Sequence, residues 1–203
     1  MSGKNAIGIF ADNNKDSATA DNDHLVINKG TVTVGKSDSG NAIAIYGNNA
    51  TIKPESGILK IGEKAIGIYA KDSIVGEDNK ALGTVNYTAD GGIGIYLKDD
   101  GNTSKTTLNG TALTLAESGG TWDEKVGILV DLAADTTLKT KIEVGSLNNV
   151  TAYYTQNKNL TVNADGKINE NSVGITGAED KKLTYGDGVS SFTFEVGKKS
   201  TGI

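Results

Sequence analysis

The chain of 203 residues contains no cysteine and no arginine, and only one proline, one histidine and one tryptophan. Without cysteine there is no disulfide scaffold, no thiol nucleophile and no cysteine-based zinc site. Without arginine, and with a formal net charge of -5, a nucleic-acid groove lined by clustered cations is excluded. A single histidine, His24, confines any Ser-His-Asp chemistry to one position. Aromatic residues make up 5% of the chain, too few for the large aromatic-centred core of a typical enzyme of this size. No stretch approaches the roughly 20 apolar residues that span a bilayer.

What is present is glycine (27 residues) and a 36% hydrophobic fraction dominated by short alternating runs of Ile and Val. One tetrad recurs: Ile7-Gly8-Ile9-Phe10, Ile43-Ala44-Ile45-Tyr46, Ile66-Gly67-Ile68-Tyr69 and Ile93-Gly94-Ile95-Tyr96. Weaker copies follow at Val126-Gly127-Ile128-Leu129, Thr151-Ala152-Tyr153-Tyr154 and Val173-Gly174-Ile175-Thr176, and a partial one at Thr201-Gly202-Ile203. Their starts lie 22 to 36 residues apart, so the bare unit is about 22 residues and the rest is loop insertion. Between tetrads come a short run such as Leu25-Val26-Ile27 and a second such as Thr31-Val32-Thr33-Val34-Gly35. Each has period 2, is rich in Val, Ile and Thr, and is bounded by Gly, Asn or Asp, the signature of a strand.

Three strands in about 22 residues leave too little chain for a βαβ crossover or a propeller blade. The expected fold is all-β: a right-handed parallel β-helix with three short strands per rung and 7–8 rungs stacked about 4.8 Å apart. Residues 1–5 read as a lead-in and 6–203 as the rod, expected to be part of a longer one because neither end shows a polar cap. Tetrad positions one and three are expected to face inward as columns of Ile and Val. Position two is expected to face outward beside an external aromatic column of Phe10, Tyr46, Tyr69, Tyr96 and Tyr154. Gly and Asn are expected to supply positive φ at the corners.

Few residues point to chemistry. His24, in Asp21-Asn22-Asp23-His24, reads as a turn histidine in an acidic loop. Asp99-Asp100, and Glu117 with Asp123 and Glu124, read as solvated loop acids rather than the carboxylate pair of a glycosidase. Asp12-Asn13-Asn14-Lys15-Asp16 resembles the start of an EF-hand loop, but Ser17 stands where Gly is needed and Asp23 where Glu is needed, so no metal and no cofactor are expected. Tyr46, Tyr69 and Tyr96 read first as a stiffening stack and second as a platform for sugar rings or a partner. Trp122 lies in the insertion from Glu117 to Glu124 and is the candidate contact residue, since loops on a rigid scaffold carry binding groups. Six Asn-x-Ser/Thr sequons, at Asn49, Asn86, Asn102, Asn109, Asn149 and Asn159, follow from the composition and are not read as glycosylation.

The repeats Ala-Ile-Gly-Ile-Tyr-Ala at 65–70, Ala-Ile-Gly-Ile-Phe-Ala at 6–11 and Gly-Ile-Gly-Ile-Tyr-Leu at 92–97 alternate with Gly-Thr-Val-Thr-Val-Gly at 30–35. This pattern resembles the passenger repeats of the very large type V autotransporter adhesins of fusobacteria. The resemblance implies an extracellular rod, held at the bacterial cell surface by an outer-membrane anchor, that supports coaggregation and attachment to host cells. The implied partner is a surface protein or glycan of a host cell or another bacterium. No nucleic acid, no membrane insertion by this segment and a monomeric state are expected. Two other readings share the fold: a polysaccharide lyase or hydrolase, and a trimeric phage tailspike or fibre.

Overall fold

The structure is a computed structural model and describes residues 6–13, 25–36 and 42–203. It is an all-β solenoid, and no helix occurs among the described residues. One side is a continuous parallel sheet of seven strands, in the order Ile7–Asp12, Ile43–Asn48, Ile66–Lys71, Ile93–Lys98, Lys125–Asp131, Val150–Thr155 and Val173–Gly177. These are the seven full tetrads, each directly above the last: Ile7 pairs with Ile43, Ile43 with Ile66, Ile66 with Ile93, Val126 with Thr151. The partial copy at Thr201 forms an isolated parallel bridge to Val173. Seven stacked strands make about six turns, one or two fewer than the tetrad count suggests, because each turn lies between two tetrads. At the usual strand spacing this stack is roughly 29 Å tall.

The other two sides are less continuous. The second side carries a four-stranded parallel sheet of Leu25–Ile27, Thr51–Lys53, Ile74–Val75 and Thr107–Leu108. A separate three-stranded sheet of Thr136–Leu138, Leu160–Val162 and Leu183–Tyr185 follows it. The third side carries Thr31–Val34, Ile58–Ile61, Thr84–Tyr87, Ala112–Glu117 and Lys141–Glu143, then the pair Gly166–Ile168 and Phe194–Val196.

The core runs the length of the stack. Ile45, Ile68, Ile95, Ile128 and Ile175, the third tetrad residues, are buried and meet Ile52, Val75, Leu59, Val85 and Leu115 from the other sides. Each such side chain contributes about 1.5–3 kcal/mol by leaving water. The second position corrects the sequence reading. It faces inward, and Ala44 and Ala152 belong to the core. A Cβ on Gly67 would lie 2.5 Å from the Gly94 carbonyl oxygen and 3.4 Å from Leu59 Cδ1. On Gly94 it would lie 2.6 Å from the Gly127 oxygen and 3.2 Å from the Tyr87 hydroxyl. The small residue therefore makes room for the third side's core side chains, not for rings outside. The first position is the less enclosed one: Ile93, Val126 and Val173 are only half-buried.

The corner before each tetrad from Ile66 onward is also built by repetition. Two residues ahead of the tetrad the backbone is left-handed in Lys64 (φ 56), Gly91 (φ 68), Glu124 (φ 55), Asn149 (φ 53), Asn171 (φ 54) and Lys199 (φ 53). Only three of these are the Gly or Asn expected. Lys and Glu accept a cost of about 1–2 kcal/mol there, offset by hydrogen bonds that continue the ladder, such as Lys64 N–H to Asp90 O at 2.9 Å.

Candidate functional site

Period-2 alternation places the fourth tetrad residue outside, and the parallel register lines these residues up. The Phe10 and Tyr46 rings stack with centroids 5.1 Å apart and planes 5° from parallel. Tyr46 and Tyr69 stack at 5.4 Å and 10°. Tyr96 turns edge-on to Tyr69 at 4.9 Å and 62°. The external column is therefore real from Phe10 to Tyr96; Leu129 then separates it from Tyr154. The rings spend their faces on one another, which favours the stiffening stack over a sugar platform, since a sugar would need those faces free.

Two residues along each strand lies a polar row. Asn48 donates to Asp12 at 2.8 Å, Lys71 pairs with Asp100 at 2.6 Å and Lys98 with Asp131 at 2.7 Å. Asp131 is buried and also accepts from the Tyr96 hydroxyl at 3.1 Å and from the Asn157 amide. Burial first, and then the Asp131 charge, hold the Tyr96 hydroxyl far above the ordinary tyrosine range. The hydrogen bond to Asp131 raises the Lys98 ammonium as well. Lys98, Asp131 and Asn157 line a polar cleft of about 530 Å³ with Asp99, Asn102 and Lys158. Both Asp131 oxygens accept hydrogen bonds, Oδ2 from Tyr96 and Lys98 and Oδ1 from Asn157, so the arrangement holds these side chains in place.

Asp99 is not the solvated acid that its loop position suggests. It is buried, and its carboxylate accepts backbone N–H groups of Thr106 (2.7 Å), Ala133 (2.9 Å) and Lys105 (3.0 Å), clasping the 99–106 loop to the next rung. Burial alone would raise its pKa, but these donors outweigh it and hold the carboxyl below the usual range. A folded-state pKa below the unfolded one stabilises the fold above the unfolded value and is lost as pH falls through the folded value. Asp99→Asn should thus cost about 1–2 kcal/mol at pH 7. The gap to the parent should close below the normal carboxylate range. Urea unfolding at pH 7 and at stepwise lower pH reads this directly; a gap constant with pH would refute it. Its neighbour Asp100 is exposed and pairs with Lys71.

Trp122 lies apart from the tyrosines, in the loop that follows the third-side strand Ala112–Glu117. Its indole N–H donates to Ser118 O at 3.1 Å and its ring packs half-buried against the core, so the loop folds back on the rod. Beneath it Lys125, wholly enclosed, pairs with Glu117 at 2.8 Å and donates to the Trp122 carbonyl. Composition gave no sign of that buried ion pair. Asp123 accepts from Asn149 and its N–H donates to Asp90 at 2.7 Å. His24 and residues 14–23 of the calcium-like stretch lie outside the described residues; Asp12 ends the first tetrad strand and Asn13 follows it. Among the described residues no trio of His, Asp or Glu side chains is placed to hold a metal ion.

A groove of about 710 Å³ lies on the second side. It lies where Thr107–Leu108 ends one sheet and Thr136–Leu138 begins the next, and both strands line it. The flanking strands stay paired at the same two rungs: Ile95 with Ile128, and Leu113 with Ile142. So the coil is intact on two sides and open on one. The second-side strand is reached through residues 99–106 on the first of these rungs and through the shorter 132–135 on the next. Compared with protein families, curated proteins and solved structures, the chain matches none of them.

Proposed function

We propose that this chain is a surface-exposed stalk segment of a bacterial adhesin of the autotransporter type, non-catalytic and supporting attachment to other cells. The observation that carries this reading is the uninterrupted seven-stranded parallel sheet, with one aliphatic column inside and a self-stacked aromatic column outside. Such a ladder turns chain length into distance with little side chemistry, which suits a spacer better than an enzyme. The tetrad resemblance supplies the autotransporter assignment and the cell-surface location.

The test has two arms. Antibodies raised against the 118–124 loop should label intact producing cells, and the label should disappear after protease shaving. Incubated with pectins and host glycans, the purified chain should release no shortened products. Labelling only after permeabilisation would remove the surface assignment. Cleavage of any of these polymers would move the chain to the polysaccharide-degrading enzymes.

A further inference from the structure

The open second side offers something a plain spacer does not need. We propose that its groove takes an extended peptide from a partner protein, added as an extra parallel strand between Thr107–Leu108 and Thr136–Leu138. The backbone pattern carries the argument. Thr107 N–H donates to Ser73 O at 3.0 Å and Asn109 N–H to Val75 O at 2.7 Å, so these residues face back into their own sheet. Strand alternation turns the N–H and C=O of Leu108 toward the groove. On the opposite wall Thr136 N–H donates to Asn159 O at 3.1 Å, and Leu138 O accepts from Asn163 N–H at 2.8 Å. The N–H and C=O of Thr137 are therefore also turned outward. Each strand is the terminal one of its sheet, and both belong to a solenoid whose strands all run in parallel. Two unpaired edges of the same direction on the walls of one groove form a main-chain template, the basis of recognition by strand addition.

The lining specifies the peptide. Leu108 is half-buried on the wall, with Leu97, Leu132 and Leu138 enclosed behind it, which calls for an aliphatic side chain opposite Leu108. Carboxylates of Asp78 and Asp135 against the single ammonium of Lys139 favour a basic flank. A probe with these properties is the peptide of residues 158–164, Lys-Asn-Leu-Thr-Val-Asn-Ala, whose parent strand Leu160–Val162 already pairs with Thr136–Leu138 on its other edge.

Amide hydrogen exchange, followed residue by residue in the whole chain, tests the proposal. Without peptide the Leu108 and Thr137 amides should exchange fast. With saturating peptide both should slow at least tenfold. Thr137→Pro removes only the outward N–H, because Thr136 and Leu138 make the native bonds; it should weaken peptide binding at least tenfold at an unchanged melting temperature. Should that variant unfold, a probe peptide carrying Thr161→Pro removes a donor from the peptide's side of the same ladder and should bind at least tenfold more weakly. Unchanged exchange at both amides under millimolar peptide would overturn the proposal. So would slow exchange before any peptide is added, since the two edges would then pair with each other. Equal binding of the proline peptide, which would mean side-chain docking alone, would overturn it too.

Discussion

Ile68→Ala should destabilise the solenoid by about 2–5 kcal/mol, the range for emptying a fully enclosed aliphatic site. Ile68 has no exposed surface and sits in register between Ile45 and Ile95, near the middle of the seven-stranded sheet. A cavity there has little freedom to collapse, because the hydrogen-bonded ladders above and below fix the rung spacing. In a stacked repeat each rung is stabilised chiefly by its two neighbours, so a weak central rung loosens both interfaces at once. Denaturant unfolding should show a lower midpoint, and a shallower slope if the two halves begin to melt separately. Ile58→Ala, at a site 37% exposed on the third side, is the control and should shift stability by no more than about 0.5 kcal/mol. Equal midpoints for the two variants would mean that the Ile column is not the core.

The second large effect belongs to the enclosed cation. Glu117→Leu should cost about 3 kcal/mol, because it leaves the Lys125 ammonium buried with only the Trp122 carbonyl for a partner. The double variant Glu117→Leu/Lys125→Met should recover most of that loss, since two apolar side chains fill the site without a charge to desolvate. Urea unfolding of the parent, both single variants and the double variant closes the cycle. Additive losses would show that the pair is not coupled and that Lys125 reaches water by another route.

The architecture was legible because stacking forces repetition: one Ile-Gly-Ile-Tyr per turn predicts the sheet, its register and the external ring column, all of which the structure has. What escaped the reading shares one physical cause. Alternation predicts an outward second tetrad residue, but glycine carries no side chain to declare a face, and the neighbours that fill its space, Leu59 and Tyr87, come from another side of the coil. Two further tyrosines, Tyr87 and Tyr153, belong to the core, and nothing in the tetrad period singles them out for it. They are fully enclosed, with their hydroxyls donating to Val126 O at 2.6 Å and Thr140 O at 2.7 Å. Lys125 and Asp99 sit next to insertions, where burial depends on how the loop folds back rather than on any period. The candidate residues fared in the same way. Tyr46, Tyr69 and Tyr96 come together as expected, Trp122 is held against the rod, and the open second side arises from a lost pairing that leaves no mark on composition.

Because every ladder bond lies along the long axis, tension applied between the two chain ends meets the coils one after another and not all together. The rod should therefore give way by unspooling at modest force, each coil of 22 to 36 residues letting out roughly 75–120 Å of extended chain. A coil of this kind should lengthen stepwise under load and rewind when the load is released. The same register that makes it straight at rest makes it compliant under load.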